Sequence, residues 1–98
     1  MILSENIRKL KLYKFILKES NVNRILLRCS REAGFSMPAI RWSLLKLREI
    51  NVRSLVDGNG ISDQTLYAAI NGERKNDLAQ AVVAKALGLT VSELFPEE

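Results

Sequence analysis

Residues 51–72 read NVRSLVDGNGISDQTLYAAING and carry the most informative signal in the chain. Asn51 can cap a first short helix, because its side chain can accept a hydrogen bond from a backbone N–H of the first turn. Gly58 and Gly60 can adopt the positive φ angles that end a helix. Ser62 can cap a second helix in the same way as Asn51. The stretch therefore predicts two short helices joined by a tight turn.

Apolar residues recur at helical spacing in both predicted helices. The expected inner faces consist of Val52, Leu55 and Val56 in the first helix and of Leu66, Ala69 and Ile70 in the second. The second helix begins with polar residues, as base reading in the major groove requires. A DNA-binding helix-turn-helix is therefore the first interpretation. A tight αα-hairpin in a helical bundle is the alternative, because any helix pair uses caps, glycines and apolar stripes.

The residues that follow predict two further helical elements. Asp77 is placed to cap a longer helix that Gly88 ends. Thr90 and Glu93 have the spacing of a capping box, which opens a last short turn before Pro96. The residues expected to form the core here are Leu78, Ala81, Val82, Ala84, Ala86, Leu87, Leu94 and Phe95.

Four short motifs occur in a fixed order along the second half of the chain. They are G-I-S-x-x-T-L at 60–66, A-x-x-x-G ending at Gly72, A-K-A-L-G-L at 84–89 and E-L-F-P at 93–96. With these motifs, residues 44–96 resemble the lambda-repressor-like helix-turn-helix domains of Cro and Xre-type regulators. The segment is most similar to the small Ner-like DNA-binding proteins of Mu-type phages. The resemblance implies a compact all-α domain of five helices. It also implies a phage or prophage transcriptional regulator, such as a repressor, with double-stranded DNA as its partner.

The resemblance also assigns roles to individual positions. The helix that begins at Ser62 would lie in the major groove, with base contacts from Asp63, Gln64, Thr65, Tyr67 and Ala68. Gln64 is the strongest candidate, because its amide can pair with both N6 and N7 of adenine. Asp63 departs from the expected pattern, because a carboxylate near phosphates is unfavourable unless it caps the helix or accepts from cytosine.

Contacts to the phosphate backbone are the second set of roles that the resemblance implies. The positions concerned are Asn51, Ser62, Asn71, Arg74, Lys75 and Asn76, whose side chains can donate hydrogen bonds to phosphate oxygens. An ordinary structural interpretation stands beside this one. Asn51 and Asn71 also suit helix ends, and Arg74 with Lys75 could be a solvated loop pair.

Charge is distributed unevenly along the 98 residues. Residues 1–50 hold eleven Lys and Arg against four acids, and residues 51–98 hold four against seven, so charges of +7 and −3 sum to +4. The half expected to read DNA is therefore slightly acidic. Non-specific attraction to phosphates is expected to come largely from the amino-terminal half or from a second protomer.

Residues 1–36 are predicted to form a basic, helical N-terminal extension, and residues 37–98 the DNA-binding domain. Leu3, Ile7, Leu10 and Leu17 could line one helical face, although residues 9–12 alternate in the manner of a strand. The extension could be a basic arm along DNA, a dimerisation helix or a poorly packed tail.

Two further helices are predicted between residues 23 and 50. The first runs over Asn23–Ala33 and ends at Gly34, and the second is opened by Ser36 and Pro38 and runs to about Ile50. This region also repeats a pattern, because residues 26–45 align with residues 52–71 at an offset of 26. We favour a single helix-turn-helix, because Trp42 and Leu45 are more simply core residues of the domain's first helix.

Several classes of function find no support in the composition. Cys29 is the only cysteine and histidine is absent, so no metal, cofactor or internal disulfide is expected. The serines have no histidine to activate them, and residues 58–60 lack the lysine of a phosphate-binding loop, so an enzyme is not expected. No small-molecule substrate is apparent.

Location and partners follow from the remaining features. The start, MILSENIRK, lacks the order of a signal peptide, and the apolar stretches are too short for a membrane span, so we expect a cytoplasmic protein with no membrane partner. A homodimer on a two-part operator is the expected assembly. The alternative function is an antitoxin-like or adaptor module for protein interaction, which would keep the fold without reading DNA.

Overall fold

The computed structural model describes the backbone of residues 19–96 and the side chains of residues 21–96. Six α-helices follow one another in this range: α1 (Glu19–Glu32), α2 (Met37–Leu47), α3 (Val52–Val56), α4 (Asp63–Ile70), α5 (Asp77–Leu87) and α6 (Val91–Leu94). No strand occurs between residues 19 and 96, so the predicted all-α class is confirmed for this part of the chain. Between residues 19 and 96, no helix combines the length and the apolar composition that a membrane span requires. The helix predicted near residues 3–17 lies outside the described residues.

Four of the predicted helix caps are present. The Asn51 side chain accepts from the backbone N–H of Ser54 at 2.8 Å, and the Ser62 hydroxyl accepts from that of Thr65 at 3.2 Å. Ser36 caps α2 in the same way. The Thr90 and Glu93 side chains complete the predicted capping box at the start of α6. These four starts follow from residues within one turn of each other.

The predictions for α5 need two corrections. Asn76, rather than Asp77, is the cap of this helix, and its side chain accepts from the backbone N–H of Ala79 at 2.9 Å. The core face is also rotated from the predicted one, because Leu78 is 55% exposed and Ala81 is exposed, whereas Ala79 and Val83 are buried. Nearly every residue from 78 to 87 is apolar, so hydrophobicity alone does not select the inner face.

Helix α5 lies at the centre of the packing. It contacts α1, α3, α4 and α6, while α2 contacts α1 and α4. The buried apolar residues form one cluster that draws on every helix, composed of Leu27, Ile40, Leu44, Leu45, Val52, Leu55, Ile61, Leu66, Ala69, Ile70, Ala79, Val83, Ala84, Leu87, Leu89, Leu94 and Phe95. The Leu66, Ala69 and Ile70 stripe predicted for α4 is fully buried.

The bounds of the first two helices differ from the predicted ones. Helix α1 begins at Glu19, four residues before the predicted start, and α2 ends at Leu47 rather than near Ile50. Although α1 falls within the predicted extension, it packs on α2 and α5 through Leu27, which is 5% exposed. Residues 19–32 therefore share the core of the helices that follow them.

Arg41 is fully buried between α2 and the ends of two other helices. Its Nε donates to the carbonyl of Ile70 at 2.7 Å, and its Nη1 donates to the carbonyl of Leu94 at 2.9 Å. Its guanidinium carbon also lies 4.4 Å from the centre of the Phe95 ring. Ile70 and Leu94 are the last residues of α4 and α6, where carbonyls lack partners within the helix and the helix dipole is negative. Arg41 therefore ties the carboxyl ends of both helices to α2.

Asn23 plays a similar part at the end of α5. Its Nδ2 donates to the carbonyl of Leu87, the last residue of α5, at 2.8 Å, and its Oδ1 accepts from the Nε of Arg48 at 2.8 Å. Asn23 is 1% exposed. The carboxyl ends of three helices are thus held by side chains from α1 and α2.

Arg24 and Glu93 form an ion pair between α1 and α6. The Arg24 Nε lies 2.5 Å from one carboxylate oxygen of Glu93, and its Nη2 lies 3.1 Å from the other. The hydrogen bond from Arg24, together with that from the backbone N–H of Thr90, lowers the pKa of Glu93 from 4.5 to about 2.

Replacing Arg41 is expected to destabilise the fold strongly. Arg41→Met would leave two buried helix-end carbonyls without donors, and we expect it to lower the free energy of unfolding by about 3 kcal/mol or more. Arg41→Lys would keep the charge but would not reach both carbonyls, so its loss should be smaller. Lys46→Ala, at an exposed position of the same helix, is the control and should change stability by less than about 0.5 kcal/mol. Urea unfolding measures all three, and wild-type stability in Arg41→Met would contradict the assigned role.

The ion pair predicts how stability depends on pH. Because the pKa of Glu93 is lowered to about 2 in the folded chain, its contribution is complete above about pH 4.5 and is lost as the pH falls towards 2. Glu93→Gln removes the charge at every pH. The difference in unfolding free energy between wild type and Glu93→Gln should therefore be largest near neutral pH and shrink in acid. Urea titrations across this range measure it, and a pH-independent difference would argue against the pair.

Candidate nucleic-acid interface

Helix α4 presents its inner and outer faces to different surroundings. Leu66, Ala69 and Ile70 on the inner face are buried against α2, α3 and α5. On the outer face Gln64 is exposed and Tyr67 is 47% exposed. The polar and aromatic side chains of the outer face are therefore accessible to a partner, while the apolar inner face is buried in the core.

The other predicted base-reading residues at the start of α4 are less free. The Thr65 hydroxyl lies 2.9 Å from that of Ser62, so both hydroxyls belong to the helix cap. Thr65 and Ala68 are half-buried, and a methyl group can offer only an apolar contact to a base. Gln64 and Tyr67 are consequently the most accessible of the predicted base-reading side chains.

Asp63 is held next to Arg53 of α3. Its Oδ1 lies 3.9 Å from Nη1 of Arg53, and that oxygen is buried with no hydrogen bond from residues 19–96, although the side chain as a whole is 47% exposed. The long contact makes this a weak ion pair. Asp63 also lies in the first turn of α4, where the helix dipole favours a negative charge. Arg53 and the helix dipole therefore both offset the negative charge of Asp63, the residue that departs from the expected pattern.

Three of the predicted phosphate-binding residues serve as helix caps. The oxygens of Asn51, Ser62 and Asn76 accept backbone N–H groups at the starts of α3, α4 and α5. The amide nitrogens of the two asparagines are not used in these bonds. Arg74 and Lys75 lie exposed in the loop between α4 and α5. The structure thus places the two cations immediately after the helix with the exposed outer face.

Trp42 lies beside the candidate site, a position that the sequence interpretation missed. It packs against the core, as expected, but it is only partly buried and also contacts the outward-facing Tyr67 of α4. Its ring lies 5.2 Å from that of Tyr67, with 35° between the planes, and its Nε1 donates to the Oδ1 of Asn71 at 2.7 Å. Helical spacing could place Trp42 on a flank of α2 but could not identify the helix packed beside it.

Positive charge is less available at the surface than the sequence count indicates. Arg41 is buried, and Arg24 is paired with Glu93. Arg24 also lines an open cavity of about 480 Å³ between α1 and α6, together with Arg28 and Arg31. Most of the positively charged side chains of residues 19–50 are therefore either buried, paired within the fold or located on α1.

The chain matches no protein-family model, no curated protein and no solved structure. A function must therefore be inferred from the residues of the α4 outer face and of the loop that follows it.

Proposed function

We propose that this chain is a transcriptional regulator that binds double-stranded DNA in a sequence-specific manner. Helices α3 and α4 form its helix-turn-helix within a lambda-repressor-like domain, and α4 enters the major groove. The observation that carries the proposal is the exposed outer face of α4. Gln64 and Tyr67 on this face remain open to solvent, while the inner face of the same helix is completely buried.

The surroundings of this face support the proposal. Arg53 precedes α4 on α3, and Arg74 with Lys75 follows it, so exposed cations lie on both sides of the helix in the chain. Cations at these places can bind the phosphates on the two sides of a groove. The amide nitrogens of the capping asparagines add neutral donors at the starts of α3 and α5. Phosphate contacts of this kind would fix the register from which Gln64 reads a base.

A module for protein interaction is the second candidate function. Phe35, between α1 and α2, and Leu47, at the end of α2, are each 63% exposed. Exposed apolar side chains suit a protein partner. In this alternative the outer face of α4 would bind no DNA.

DNA binding should be detectable with a random-sequence duplex. If Arg53, Arg74 and Lys75 each neutralise one phosphate, the logarithm of the binding constant should fall against the logarithm of salt concentration with a slope of about −3 per protomer. Fluorescence anisotropy of labelled duplex between about 50 and 200 mM salt measures this slope. Absence of binding at the lowest salt would favour the protein-interaction alternative.

Two substitutions should separate base reading from phosphate binding. Gln64→Ala should reduce the preference for the selected sequence by about 1–3 kcal/mol, because a bidentate contact to adenine is lost. Lys75→Ala should weaken binding to all sequences alike and reduce the salt slope by about 1. Lys85→Ala removes the same charge near the other end of α5 and serves as the control. Equal effects of Gln64→Ala on all sequences would contradict its role as a base-reading residue.

A further inference from the structure

Trp42 contacts two outward-facing residues of the α4 region that lie one helical turn apart. Its ring packs against Tyr67, and its indole N–H bonds to the side chain of Asn71, the residue that ends α4. Residues four apart lie on the same side of a helix. A single side chain of α2 therefore braces the carboxyl-terminal half of the α4 outer face.

The bond from Trp42 determines what the Asn71 amide can offer. An asparagine amide has an acceptor oxygen and a donor nitrogen, whereas an indole N–H can only donate. The oxygen of Asn71 must therefore face Trp42, at 2.7 Å, and it is the acceptor of that bond. The nitrogen, with its two N–H groups, is on the other branch of the amide. Asn71 is exposed, so these donors are accessible.

We propose that Trp42 is a positioning residue that makes Asn71 a donor for a backbone phosphate. A phosphate oxygen is an acceptor and needs only the N–H groups. Bidentate reading of adenine would require the amide oxygen to face the base as well, but the bond from the indole holds that oxygen towards α2. Asn71 therefore contributes to affinity for any DNA sequence and does not select a base. The inference rests on the proposed DNA-binding function.

The neighbouring residues fit a phosphate at this position. The carboxyl end of a helix carries a partial negative charge, which disfavours an anion. Arg74 and Lys75 follow Asn71 within four residues and lie exposed in the loop, so their charges can offset the dipole. Tyr67, held by the Trp42 ring, flanks the same position from within α4. Trp42, Tyr67 and Asn71 thus form a cluster in which the Asn71 amide nitrogen is the proposed donor to the phosphate.

A double-mutant cycle on random-sequence duplex tests this role. Trp42→Phe keeps an aromatic ring beside Tyr67 but removes the indole N–H. It should weaken binding about three- to tenfold, because the Asn71 amide is no longer held in the orientation that donates to the phosphate. Asn71→Ala should weaken binding by a similar factor, because it removes that donor. The double variant should bind no more weakly than the weaker single variant. The salt slope should not change, because no cation is removed. Ser43→Ala, beside Trp42 on α2, is the matched control and should bind like wild type.

Different results overturn different parts of the argument. If wild type fails to bind duplex at low salt, the proposed function is wrong and the role of Trp42 falls with it. If wild type binds with the expected salt slope but Trp42→Phe binds equally well, only the role of Trp42 is wrong. Multiplying effects in the double variant would also overturn it, because Trp42 and Asn71 would then act independently.

A measurement on the free protein guards against variants that fold poorly. Hydrogen exchange of the Trp42 indole N–H is expected to be slow in wild type and faster in Asn71→Ala, because the acceptor oxygen is lost. The chain has one tryptophan, so its indole signal is unambiguous. Equally fast exchange in both proteins would overturn the proposed orientation of the amide, whatever the binding data show.

Discussion

The buried guanidinium of Arg41 is the interaction on which the arrangement of the helices depends. It supplies donors to the last carbonyls of α4 and α6, two groups that would otherwise be buried without partners. Because Arg41 and Trp42 are neighbours on α2, the contact that anchors the end of α4 also brings the indole beside it. The geometry of the outer face of α4 therefore follows from a polar contact in the core.

This use of polar groups in the interior changes the electrostatic interpretation of the sequence. The amino-terminal half has an excess of seven positive charges, but Arg41 is buried and Arg24 is paired across the fold. Gln80 is buried as well, at 2% exposure. The exposed cations that lie close to α4 in the chain are Arg53, Arg74 and Lys75. Local contacts rather than overall charge thus support the proposed binding of DNA.

The internal repeat, residues 26–45 and 52–71, has similar local structure but different tertiary surroundings. Gly34 and Gly60 both have positive φ angles, and Ser36 and Ser62 both cap the helix that follows. The two units therefore share these local features. The repeat could not distinguish the surroundings of the two units. Trp42 lies beside the outer face of α4, whereas the corresponding Ala68 is a half-buried residue of α4 itself.

The amino-acid sequence was sufficient to predict the all-α class of the described residues and the starts of α2, α3, α4 and α6. A cap and its backbone partners lie within one turn, so short-range rules suffice for them. The buried face of α5, the burial of Arg41 and the bond from Trp42 to Asn71 became visible only once the helices were packed together. The last two of these features join residues 29 to 53 positions apart. Their partners depend on how separate helices pack, which the spacing of apolar residues within one helix does not specify.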